Sequence, residues 1–221
     1  MSKTIFFPIL TRREAQYYHN RDGKFYANYS DNYEKIAHDC LHRCVYCDAT
    51  EKECGGDPFS LDHFRPKSIF SKSFTDEQIN HPYNLYLSCQ KCNVLKNKDW
   101  KGCIETIDGF TFNGKIGYID RFRDDINAYF RVEESGELAS NDANGPGEYM
   151  IRKMLLNRTN RVYLRKKRMV SALLNELNRE ITTAMEKVYS ECEQKSISSE
   201  TALKKISRLL IIKSEFDKLI V

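Results

Sequence analysis

Eight cysteines occur in this chain, seven of them between Cys40 and Cys103, and two pairs have CxxC spacing: Cys44-Val-Tyr-Cys47 and Cys89-Gln-Lys-Cys92. Thiolates at i and i+3 on a tight turn can share one ion at about 2.3 Å, and two such turns complete a tetrahedron with no open position. The expected chemistry is structural zinc ligation by Cys44, Cys47, Cys89 and Cys92. Two alternatives stand beside it: buried free cysteines, or substitution of His42 or Cys54 for one ligand. Cys40, Cys103 and Cys192 read as ordinary apolar residues. Disulfides would require an oxidising compartment. The brief apolar patch from Ile5 to Leu10, broken by Pro8, does not make a signal peptide, so the chain reads as cytoplasmic.

The 41 residues between the two pairs are longer than a compact zinc ribbon needs. They contain Phe59-Ser-Leu-Asp-His-Phe-Arg-Pro-Lys-Ser68, and the second pair sits in Asn84-Leu-Tyr-Leu-Ser-Cys-Gln-Lys-Cys-Asn-Val-Leu-Lys96. Over roughly residues 44–98 these segments resemble the HNH nuclease family, whose ββα-metal motif often lies between two zinc knuckles. The matching positions are Asp62-His63, Asn84-Leu85 and Cys89-x-x-Cys92-Asn93-x-x-Lys96, with Asn93 where the family usually has its last histidine. The resemblance implies metal-dependent hydrolysis of DNA phosphodiester bonds.

In that reading His63 is the general base, since imidazole titrates near neutral pH. Asp62 and Asn93 hold one Mg²⁺ or Mn²⁺, the amide oxygen of Asn93 being a hard ligand. Asn84 orients His63 through its backbone or ring, and Lys96 and Arg65 contact phosphate. Adjacent strand residues point to opposite faces. Asp62 and His63 can therefore share a site only if the strand ends there, as Arg65-Pro66 suggests.

These residues need a scaffold, and the sequence outlines one. Asp31 to His38 can begin a helix after a polar, tyrosine-rich start (Tyr17, Tyr18, Tyr26, Tyr29, Tyr33). Asn113-Gly114 between apolar flanks is a hairpin signal, and Ser135-Gly136 marks a second. Asn141 to Gly147 is a breaker cluster and the expected linker. Val170, Leu173, Leu174, Leu177, Ile181, Ala184, Met185 and Val188 follow the helical period. Ser198 or Ser199 can cap a last helix carrying Leu203, Ile206, Leu210 and Leu219. The expected fold is α+β: an N-terminal segment (1–40), an HNH core with zinc knuckles (41–101), a β-hairpin extension and linker (102–147) and a C-terminal helical region (148–221). With 221 residues, 41% hydrophobic and 30% charged, the chain reads as globular, and its short apolar runs exclude a membrane span.

The net charge is only +4, but Arg152 to Arg168 holds eight basic residues and no acidic one. Arg161, Arg165, Lys166, Lys167 and Arg168 are candidates for tracking a phosphate backbone, or for the solvated face of a helix whose other face (Val162, Met169, Leu173) packs inward. Glu148 to Arg158, with its Leu-Asn-Arg element, loosely resembles the tail of bacterial HNH nucleases such as the nuclease subunit of Septu-type and retron-associated anti-phage systems. That likeness implies an ATPase partner and an antiviral role. One site per chain cuts one strand, so double-strand cleavage needs a homodimer or two events. The rivals are a non-catalytic zinc module that binds nucleic acid or scaffolds a complex, and an RNA-directed nuclease toxin.

Overall fold

The computed structural model describes residues 5–24 and 29–218. Tyr26 and Leu219, assigned above to the tyrosine-rich segment and the last helix, lie outside them. The chain forms two compact units, one ending at Arg165 and one beginning at Lys166. The architecture is mixed α+β, with small two-stranded sheets, a four-cysteine cluster and a C-terminal pair of helices.

In the first unit a 3-10 turn leads into helix α1 (Tyr33–Asp39), close to the expected start. Strand β1 (Ser60–His63) then pairs antiparallel with β2 (Leu85–Ser88), from Ser60↔Ser88 to His63↔Leu85. The insertion between them holds two short helices, α2 (Lys67–Phe70) and α3 (Asp76–Ile79), and a 3-10 turn at Pro82–Asn84. Pro66 lacks a ladder donor and disfavours further regular pairing, so β1 stops at His63. A Thr75–Gln78 capping box starts α3. Helix α4 (Gln90–Lys96) begins immediately after β2, with Cys89 at its N-cap, and packs on β1.

Both expected hairpins form: β3 (Phe112–Asn113) with β4 (Ile116–Gly117), and β5 (Phe130–Val132) with β6 (Leu138–Ser140). Gly114 and Gly136 take the positive φ values, 53° and 89°, that these turns require. Helix α5 (Gly147–Lys153) follows the breaker cluster and packs on β4 and β6, within the first unit. Phe64 stacks on Tyr86 with centroids 4.4 Å apart, and Trp100 meets Phe64 and Phe70 edge-on, a core position.

Helix α6 (Thr159–Glu193) starts in the first unit and continues into the second, where α7 (Ser199–Asp217) follows. Ser198 caps α7 by accepting from Thr201 N at 3.2 Å, and Lys205 pairs with Glu191 at 3.2 Å. Ile181, Val188 and Ala202 are buried, whereas Leu173 and Leu203 are exposed. The helical period is present, but the inward packing expected of Leu173 is not. Among the described residues no helix is long and apolar enough to cross a membrane.

Candidate functional site

The two CxxC turns converge through backbone pairing. Cys44 N donates to Ala49 O at 2.8 Å and Asp48 N to Cys44 O at 2.9 Å, closing the first knuckle. Val45 N donates to Leu87 O at 3.0 Å, which ties that knuckle to the end of β2, one residue short of Ser88-Cys89. The second knuckle is the first turn of α4. The four Sγ atoms lie within 4.8 Å of one another, and all four residues are buried. Cys47 and Cys89 sulfurs are 3.8 Å apart; the edge of a tetrahedron with Zn–S of 2.3 Å is about 3.8 Å. The cluster suits one structural Zn²⁺. His42 lies half exposed beside Glu51, with Nδ1 3.9 Å from the carboxylate. Cys54 sits at the margin of the cluster and accepts from Arg161 Nη2 at 3.0 Å. Cys40 is buried, its Sγ accepting from Leu87 N at 3.5 Å, and burial pushes its thiol up to about 11.

Two guanidiniums cover the sulfurs. Arg161 donates through Nε to Cys47 Sγ at 3.2 Å and through Nη2 to Cys89 Sγ at 3.5 Å, and Arg158 Nη2 to Cys92 Sγ at 3.5 Å. Four thiolates around one Zn²⁺ would carry a net double negative charge, and the guanidiniums of buried Arg161 and half-buried Arg158 are placed to offset it. Arg161, a candidate for phosphate or for a solvated helix face, has the sulfurs as its partners. Arg165 is 2% exposed and donates to Gly136 O at 2.6 Å and Leu156 O at 2.9 Å. It bridges the β5–β6 turn to the segment before α6, and no face of it is left for phosphate. Asn157 exchanges two hydrogen bonds with the Leu138 backbone, so the Leu-Asn-Arg element holds a hairpin with Asn157 and the sulfurs with Arg158. Lys166 and Lys167 are exposed and Arg168 half-buried.

Beside the cluster, on the other end of α4, Asp62, His63 and Asn93 line one groove of about 490 Å³, with Lys67 and Lys98 also in its wall. The end of β1 supplies the first two and α4 the third. His63 Nε2 lies 2.8 Å from Asn80 Oδ1. An amide oxygen only accepts, so the neutral ring carries its proton on Nε2 and Nδ1 is the basic nitrogen. Asn80, just after α3, has no sequence signal that marks it for this role.

Asn84 does not touch the His63 ring. Its Oδ1 accepts from Arg65 N at 2.8 Å and its Nδ2 donates to Ile79 O at 2.8 Å and Arg65 O at 3.2 Å. Its backbone O accepts from Phe64 N at 2.9 Å. It thus clamps the chain directly after His63. Lys96, expected on phosphate, is 0% exposed. Its Nζ donates to His63 O at 2.9 Å and pairs with Asp62 Oδ2 at 3.1 Å. Burial pulls the Lys96 ammonium below its ordinary value, with Asp62 opposing that shift. Asp62 Oδ2 also accepts from Tyr46 OH at 2.5 Å, while Oδ1 has a 3.4 Å contact with the same ammonium. Arg65 is largely buried against Trp100, donating to Gly109 O at 2.9 Å, and does not line the groove.

No protein-family model, curated protein or solved structure matches the chain.

Proposed function

We propose that this protein is a metal-dependent HNH-type endonuclease that hydrolyses DNA phosphodiester bonds. The observation that carries the reading is the single groove lined by Asp62, His63 and Asn93, built from β1 and α4 around a hairpin that starts and ends at the cysteine cluster. The order β1–β2–α4 is that of a ββα-metal motif with a two-helix insertion. The donor set fits a hard divalent ion: the weakly engaged Oδ1 of Asp62 and the amide oxygen of Asn93 would hold Mg²⁺ or Mn²⁺. Such an ion supplies neutralisation of charge at the phosphate. His63 takes a proton from the attacking water at Nδ1, and its bond to Asn80 keeps the ring in the required tautomer. Asn84 and Lys96 fix the backbone of residues 63–65. An anti-phage role with an ATPase partner is the part of this proposal that rests on the loose likeness of the tail alone.

A plasmid-nicking assay with Mg²⁺, Mn²⁺ and EDTA tests this, with zinc measured on wild type and His63→Ala. Metal-dependent nicking should fall by about 10²-fold or more in the variant, with one zinc per chain in both. Matched RNA substrates should be cut more slowly than DNA. One observation favours a second reading, a non-catalytic zinc module: the Lys96 ammonium already balances Asp62. Zinc-loaded, folded wild type that cuts neither DNA nor RNA, alone or with an ATPase partner, would establish that module instead.

A further inference from the structure

A second cavity of the first unit, about 470 Å³, has Asn84 in its wall and shares no lining residue with the groove. Three arginines, Arg12, Arg65 and Arg123, share its wall with the aromatic rings of Tyr83, Tyr86 and Phe122. The size is that of a small-molecule site. The Arg12 guanidinium lies over the Phe122 ring at 3.7 Å and over Tyr86 at 4.9 Å, so planar cation and planar ring are already layered. Against the three guanidiniums stand two carboxylates, Asp108 and Asp120. Asp120 Oδ1 is engaged by Tyr86 OH at 2.5 Å and Phe122 N at 3.1 Å.

Arg12 donates to Leu85 O at 2.6 Å and pairs with the buried Asp39 carboxylate at 3.4 Å. Arg65 donates to Gly109 O at 2.9 Å and Arg123 to Asp108 O at 2.7 Å. Carbonyls orient these last two guanidiniums without cancelling their charge. Arg12 and Arg65 each keep a buried Nε that has no hydrogen-bond partner. A buried N–H left unmade costs free energy.

We propose that this cavity is a binding site for a planar aromatic ring carrying a phosphate, the chemistry of a mononucleotide. Its ring layers against the aromatic wall and its phosphate meets the arginines. Such a group reaches the cavity either as a free nucleotide or as the phosphorylated end of a strand. The site is independent of the nuclease reading, because it shares no lining residue with the groove.

The test is calorimetric titration of the full chain with the four 5′-nucleoside monophosphates, in parallel with the nucleosides and inorganic phosphate. At least one monophosphate should saturate with a Kd below about 1 mM, and both its nucleoside and phosphate alone should bind at least about tenfold more weakly. Arg123→Gln, at an exposed position, should weaken the monophosphate about tenfold or more, and Ile107→Trp should fill the cavity and abolish binding. His63→Ala should bind as wild type does. Displacement by a 5′-phosphorylated hexanucleotide, but not by its unphosphorylated form, identifies strand ends as the source; no displacement identifies the free nucleotide. Absence of saturable binding by all four monophosphates, or binding untouched by both variants in folded protein, overturns the proposal.

Discussion

The bond from His63 to Asn80 sets the ring's tautomer, and that dependence can be read in a pH profile. Asn80 Oδ1 accepts from Nε2 at 2.8 Å. Asn80→Asp keeps the acceptor but adds a negative charge, which favours imidazolium. A base must be neutral to act, so the acid limb of the nicking rate should move to higher pH by about one unit, with the rate recovering above it. A purely structural defect would lower the rate equally at all pH values. Lys96 poses a different residue-scale question, because its ammonium and the Asp62 carboxylate are both withdrawn from water. Removing one partner of a buried pair strands the other, at about 3–5 kcal/mol. Lys96→Met should lose that much stability in urea unfolding, and Asp62→Asn in the same chain should restore a large part of it, since no buried charge then remains. An equal or larger loss in the double variant would show that the ammonium matters through its bond to His63 O instead.

At the scale of elements, β2 and α4 are joined at Cys89, so the metal and the hairpin are one construction. Chelation of zinc should therefore unfold the β1–β2–α4 region along with the knuckles, visible as lost amide protection there while α7 is unchanged. Arg158→Gln and Arg161→Gln remove the charges that balance the thiolates, and zinc transfer to a competing chelator should become easier by about tenfold or more. These elements were legible in the sequence where local chemistry decides them: CxxC pairs, Asn113-Gly114, Ser135-Gly136, Pro66 after β1 and Ser198 before α7. The contacts that shape the site were not. Tyr46 meets Asp62 across 16 residues, Asn80 meets His63 across 17, and Arg161 meets Cys47 across 114. No periodicity or spacing encodes such pairings. Basic residues read as solvent-facing because charge is normally hydrated. Arg65, Lys96, Arg161 and Arg165 depart from that rule because each finds a carbonyl, a carboxylate or a thiolate inside the fold.

For the molecule as a whole, that internal use of cations narrows the surface available to a nucleic acid. Of the eight basic residues between Arg152 and Arg168, Arg161 and Arg165 are buried, and Arg158 is committed to the sulfurs. Arg152 and Lys153 at the end of α5 are exposed, as are Lys166 and Lys167, followed by the half-buried Arg168, where the second unit begins. The hydrophobic core cluster lies within the first unit. Neutralising Lys166, Lys167 and Arg168 should thus spare both that core and the zinc. The expected effect is electrostatic and sequence-independent. Each phosphate contact on duplex DNA contributes about 0.9 to the slope of log K against log salt. The variant Lys166→Gln/Lys167→Gln/Arg168→Gln should bind DNA more weakly at low salt and flatten that slope by roughly 0.9 for every contact it loses, up to about 2.7. Its zinc content and thermal midpoint should match wild type. An unchanged slope would remove this stretch from the interface and shift the search to Lys67 and Lys98, exposed cations that share the groove wall with His63.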